Sequence, residues 1–186
     1  MDLSKFKTSD WLKVGGGAGI LIFGFVSWVK VEGGGVSYSA GNVFDFFFTG
    51  TVPWILLIGT AVITLLLITG TLKADRLPWT LIMLAATALA ALLLLLRLLI
   101  NPIEGKDIIE AGGGSVGRGI GMILSTVAGL VSLAGAFLGF KESGGDINDL
   151  KDMNKLKGQF SGATGGSTPP PPPPPGMSPP PPPPPA

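Results

Sequence analysis

Four long apolar stretches, with no acidic residue inside any of them, constrain this chain more than any other feature. They cover residues 14–31, 52–72, 77–100 and 118–140. Each is close to the ~20 residues that a helix rising ~1.5 Å per residue needs to cross a hydrocarbon core of ~30 Å. The expected fold class is all-α and integral to a membrane: a four-transmembrane-helix bundle with a disordered polyproline C-terminal tail. The expected organisation is an N-terminal segment over 1–13, a transmembrane domain over 14–140, a polar juxtamembrane segment over 141–160 and the Pro-rich tail over 161–186. The apolar stretches also lack the buried carboxylates on which pumps and ion-coupled transporters rely.

Composition narrows the function classes. With 46% hydrophobic and 13% charged residues, the chain is too apolar for an ordinary soluble domain. Thirteen basic and twelve acidic residues are interspersed, so there is no nucleic-acid footprint. There is no His and no Cys. That removes the commonest general base, the commonest metal ligand, thiolate chemistry and disulfides. The expectation is a non-enzyme with no cofactor and no metal. After the first stretch, Val31-Glu32-Gly33-Gly34-Gly35 lacks an A-x-A-like cleavage site, so residues 14–31 read as a retained helix rather than a signal peptide.

Basic residues set the expected orientation. Lys5, Lys7, Lys13, Lys73, Arg76, Lys141, Lys151, Lys155 and Lys157 fall on one side of the four-span layout, against Lys30, Arg97, Lys106 and Arg118 on the other. The bias predicts a multi-pass plasma-membrane protein with both N- and C-termini cytoplasmic. Trp11 and Trp79 then fall at the inner boundary, and Trp28 and Trp54 at the outer one, where indoles favour the headgroup zone. Arg97, three residues before the end of the third stretch, reads as snorkelling to the nearby interface.

Glycine placement predicts how the spans pack. In the fourth, Gly117, Gly121, Ser125, Gly129, Ser132 and Gly139 recur at steps of three and four, with Ala128, Gly135 and Ala136 beside them. The first repeats the pattern with Gly15 and Gly19. Small-residue faces let membrane helices approach closely, so the first and fourth spans are expected to be neighbours. The same faces also suit a homo-oligomer or another membrane protein. Thr60, Thr64 and Thr87 can return their hydroxyls to the backbone one turn back. A pore would instead need Thr60, Thr64, Ser125 or Ser132 as lining.

The loops carry weaker signals. Phe44-Asp45-Phe46-Phe47-Phe48 is too aromatic for a free aqueous loop and is expected to lie at headgroup level or to cap the bundle. Residues 101–117 hold Glu104, Asp107 and Glu110 but match no EF-hand spacing, and read as a solvated turn. Residues 146–160 fit a short amphipathic helix. The chain ends in a tandem ten-residue repeat whose proline runs are Pro169 to Pro175 and Pro179 to Pro185. Each run predicts a polyproline II rod of roughly 20 Å. Two readings stay open: a preformed ligand for a cytosolic polyproline-binding protein, or an unselective spacer.

This plan of four Gly/Ala/Leu-rich spans, Gly112-Gly113-Gly114, two Pro-Trp span starts (Pro53-Trp54, Pro78-Trp79) and twin proline runs resembles small tetraspan membrane proteins of high-GC Gram-positive bacteria, the mycobacteria and their relatives. The resemblance implies a plasma-membrane protein linked to envelope or division complexes, and it carries over no catalytic residue. The expected function is a membrane scaffold or adaptor, with the lipid bilayer and a tail-binding protein as partners. The alternative is an accessory subunit of a transporter or small channel.

Overall fold

A computed structural model describes residues 6–72, 78–100, 106–146 and 158. The order of elements is α1 (Thr8–Phe23), β1 (Val29–Gly33), β2 (Val36–Ala40), α2 (Val52–Ile68), α3 (Trp79–Ile100), α4 (Lys106–Ala111), β3 (Ser115–Arg118) and α5 (Ile120–Glu142). The described residues are mostly helical. Among them three helices are long and apolar enough to cross a membrane: α2 with the π turn that precedes it (Phe47–Ile68), α3 and α5. The π turn over Phe47–Thr51 runs into Pro53, whose missing N–H is tolerated at a helix start.

The first apolar stretch folds differently from the expectation. α1 starts at Thr8, inside the segment assigned to the N-terminus, and stops at Phe23 after 16 residues. At ~1.5 Å per residue it is about 24 Å long. The rest of the stretch turns and enters β1, so a continuous helix over 14–31 is corrected. Val29 and Val31 are apolar enough for a span, but β-branched residues also suit a pleated strand.

The all-α expectation is corrected as well. β1, β2 and β3 form an antiparallel sheet in the order β2-β1-β3. Gly34 and Gly35 close the β1–β2 hairpin at φ +58° and +77°, the left-handed pair that a two-residue hairpin turn demands. β3 pairs with β1 from about 85 residues away, Val29 opposite Arg118 and Val31 opposite Val116. The turn expected over 101–117 thus contains α4 and β3 in its described part.

α1 lies along α5, the neighbours that the two small-residue faces predict; α2 and α3 complete the ring, α1 against α2, α2 against α3 and α3 against α5. Ile20, Leu57, Ala90, Leu94, Met122 and Ala128 fill its centre and form one cluster with Trp28 and Val43. Arg118 ties the sheet to the ring. Its Nε donates to the Leu98 carbonyl at 2.5 Å and its Nη2 to the Leu99 carbonyl at 3.2 Å. Those carbonyls belong to the last turn of α3, where no intrahelical donor follows and a cation complements the helix dipole. Arg118→Met is expected to cost about 1 kcal/mol, at the low end for a charge-assisted hydrogen bond because Arg118 is exposed. Thermal unfolding in detergent would show it as a small loss, partly restored by Arg118→Lys.

Candidate functional site at the polar end of the bundle

The two ends of the ring have opposite chemistry. At the sheet end, aromatic residues dominate. Trp28 is fully buried, donates its indole N–H to the Phe23 carbonyl at 3.3 Å and stacks on Phe46 with ring centres 6.2 Å apart. The Arg97 guanidinium lies 3.6 Å from the centre of the same Phe46 ring. Arg97 is buried, so the snorkelling expectation is corrected: the aromatic ring accepts the cation by its face. Trp28 likewise is a core residue and not a headgroup anchor. Phe44 packs against Phe25 and Trp54, yet Phe25 and Phe44 stay exposed, as do Phe47 and Phe48.

The opposite end is polar. Ser9 and Lys13 on α1 turn inward, and both are buried, Lys13 to 5% exposure. Asp10 binds Lys13 Nζ through Oδ1 at 2.9 Å. Its Oδ2 accepts the backbone N–H of Lys7 at 3.2 Å, so one carboxylate serves an unpaired helix-start donor and an ammonium together. Ser9 donates its hydroxyl to Glu142 Oε2 at 2.8 Å, bridging the first turn of α1 to the last of α5. Gly139 borders the ammonium: a Cβ there would make ordinary contact with Lys13 Nζ at 3.5 Å.

These groups border a cavity of about 260 Å³ that all four helices share. Its apolar wall is Leu67, Ile68 and Met83; its polar rim is Lys7, Asp10, Lys13 and Glu142. Thr64 lies at the inner side, its hydroxyl donating to the Thr60 carbonyl at 2.8 Å. The groups of this site are committed to holding two helix ends together around a recess of neutral formal charge. Asp10→Asn is expected to cost about 2 kcal/mol, because it removes a charge-assisted bond to a buried ammonium. Denaturation in detergent measures the loss, and Asp10→Glu should retain part of the stability.

The small residues singled out from the sequence lie in several places. Gly121, Ser125, Gly129, Ser132 and Gly139 are all on α5. A Cβ on Gly121 would run into the Val26 carbonyl, and one on Gly129 would lie 2.8 Å from Leu94 Cδ1. Gly129 therefore faces α3, not α1. Ser125 and Ser132 are fully buried, and neither hydroxyl has a hydrogen-bond partner. Gly117 is in β3 opposite Lys30, which corrects its assignment to a helix face. On α1, Gly19 stands close to Ala128, whereas a Cβ on Gly15 would meet nothing within 4 Å. Gly16 and Gly17 make the tight contacts instead. Pro169, Pro175, Pro179 and Pro185 fall outside the described segments, as do Lys73, Arg76 and all of the amphipathic segment at 146–160 except Asp146 and Gly158.

The polar recess is not evident from hydropathy, which places residues 8–13 in the N-terminal segment ahead of the first apolar stretch. Thr8-Ser9-Asp10 ahead of Trp11 is a helix-start signal that could have placed Asp10 and Lys13 on one helix. Nothing local pairs Ser9 with Glu142. Comparison of the chain with family models, with curated proteins and with solved structures gives no match.

Proposed function

We propose that the protein is a non-enzymatic scaffold or adaptor of the plasma membrane. In this reading all four ring helices are embedded, α1 as the shortest, and the polar end faces the cytoplasm with both termini. The tail, with its proline runs, then recruits a cytosolic protein that binds polyproline II. The observation that carries the reading is the filled centre of the ring. Ile20, Leu57, Ala90, Leu94 and Met122 are fully buried there. A conduit needs a polar lining open along its axis. Of the four hydroxyls that would supply one, those of Thr60 and Thr64 donate back to the Leu56 and Thr60 carbonyls at 2.9 and 2.8 Å, and Ser125 and Ser132 are fully buried on α5. The clamp of Ser9 on Glu142 supports the recruiting role, because it anchors the helix end from which the tail departs.

The test is crosslinking followed by affinity capture in the native host, comparing the full chain with one ending at Gly166. Partners lost only on truncation support recruitment by the tail. An identical partner set overturns it. Ion flux through liposomes containing the full chain would overturn the scaffold reading in favour of a channel.

A further inference from the structure

We infer that the three-stranded sheet rests on the lipid surface beside the bundle, its apolar face toward the membrane and its polar face toward water. The inference rests on the proposed embedding of the helices. Register assigns the faces, because directly opposed residues in an antiparallel pair project to the same side. Val29 pairs with Ala40 and Arg118, Val31 with Tyr38 and Val116, and Gly33 with Val36. One face is therefore Val29, Val31, Val36, Tyr38, Ala40 and Val116, with Arg118 its one charge. The other carries Lys30, Glu32, Ser37, Ser39 and Ser115. There Lys30 forms an ion pair with Glu32, and Ser37 Oγ donates to Glu32 Oε1 at 3.5 Å. The hydrogen bond and charge of Lys30 hold the Glu32 carboxyl below its ordinary range.

Arg118 shows which way the apolar face looks. From that face it reaches the carbonyls of Leu98 and Leu99, which end α3. Carbonyls of a last turn point along the helix axis, out of the end of the bundle. A face that meets them looks back at the bundle and at the plane in which the bundle sits. Where that face lies over protein it is covered, as at Val29. β2 is the strand farthest from β3, and its apolar residues stay open: Val36 is 49% and Tyr38 61% exposed. Phe47, Phe48, Leu99 and Ile100 are exposed near the same end. Aromatic and aliphatic side chains at this level suit the boundary of headgroups and acyl chains, where Tyr keeps its hydroxyl in water.

The chain contains no Cys, so single spin labels can be placed without altering a native thiol. Val36→Cys, Ser37→Cys, Tyr38→Cys and Ser39→Cys report on the two faces of β2. Leu92→Cys, at an exposed position within α3, reports on embedding. The full-length protein is reconstituted in phosphatidylcholine/phosphatidylglycerol vesicles, and each label is read for collision with oxygen, which favours lipid, and with a soluble nickel chelate. Labels at 36 and 38 are expected to favour oxygen several-fold over those at 37 and 39. All four labels favouring nickel equally, with 92 favouring oxygen, would overturn the inference and leave the embedding intact. Nickel access at 92 would overturn the embedding itself. Labels at 36 and 38 shielded from both reagents and broadened by one another would assign the face to a second copy of the chain, which also overturns the lipid contact.

Discussion

Gly16→Leu is expected to cost about 3 kcal/mol or more, enough to leave the protein largely unfolded or aggregated on extraction into mild detergent. A Cβ at Gly16 would stand 2.6 Å from both the Ala128 carbonyl oxygen and Ser132 Cβ. Backbone atoms cannot rotate away as a side chain tip can, so α1 and α5 would have to separate along their length. Overpacking typically costs 1–3 kcal/mol, and a collision with backbone lies at or beyond the top of that range. That is a large share of a total stability of roughly 5–15 kcal/mol. Gly15→Leu is the contrast. A Cβ there meets nothing within 4 Å, and removing a helical glycine gains up to about 1 kcal/mol of helix propensity. The neighbouring substitutions should thus move the melting temperature in opposite directions. Equal melting of the two variants would mean that α1 does not approach α5 through Gly16.

Trp28→Ala is expected to cost about 3–5 kcal/mol, the range for truncating a fully buried large aromatic residue. The indole is inaccessible to solvent, bonds the Phe23 carbonyl where α1 ends, and stacks on the ring that carries the Arg97 guanidinium. Its loss would open a cavity between ring and sheet and remove one side of the support for a buried cation. Trp11→Ala, at a half-exposed indole, should change stability by no more than about 0.5 kcal/mol. Denaturation in detergent with both variants decides the matter. Similar small losses would place Trp28 at a boundary like Trp11, as its hydropathy context alone suggests.

Those two tryptophans illustrate how much the sequence reveals. Trp11, Trp28, Trp54 and Trp79 all fall near the ends of apolar stretches, and the aromatic-belt rule treats them alike. What separates Trp28 from Trp11 is the segment of 43–46 folding over it, with Val43 buried and Phe46 stacked on the indole. A local window contains no information on that coverage. The hairpin is legible in the sequence. Val29 and Val31 alternate with Lys30 and Glu32, then Gly34-Gly35, then Val36 and Tyr38 alternate with serines. That is a hairpin signal by period and turn. Its first residues also complete an apolar stretch of span length, so the two signals compete over residues 29–31.

By itself the sequence determined the three long apolar helices and the proline-marked starts of two of them, because hydropathy, helix period and turn chemistry are properties of neighbouring residues. Only the tertiary structure decided that α1 ends at Phe23 and that β3 joins β1 across some 85 residues. It alone buried Arg97 under Phe46 and brought Ser9 to Glu142, 133 residues away. The reason is physical. Whether an apolar run continues as helix or pairs as strand, and whether a charge reaches water or a partner, depends on what stands opposite it in space.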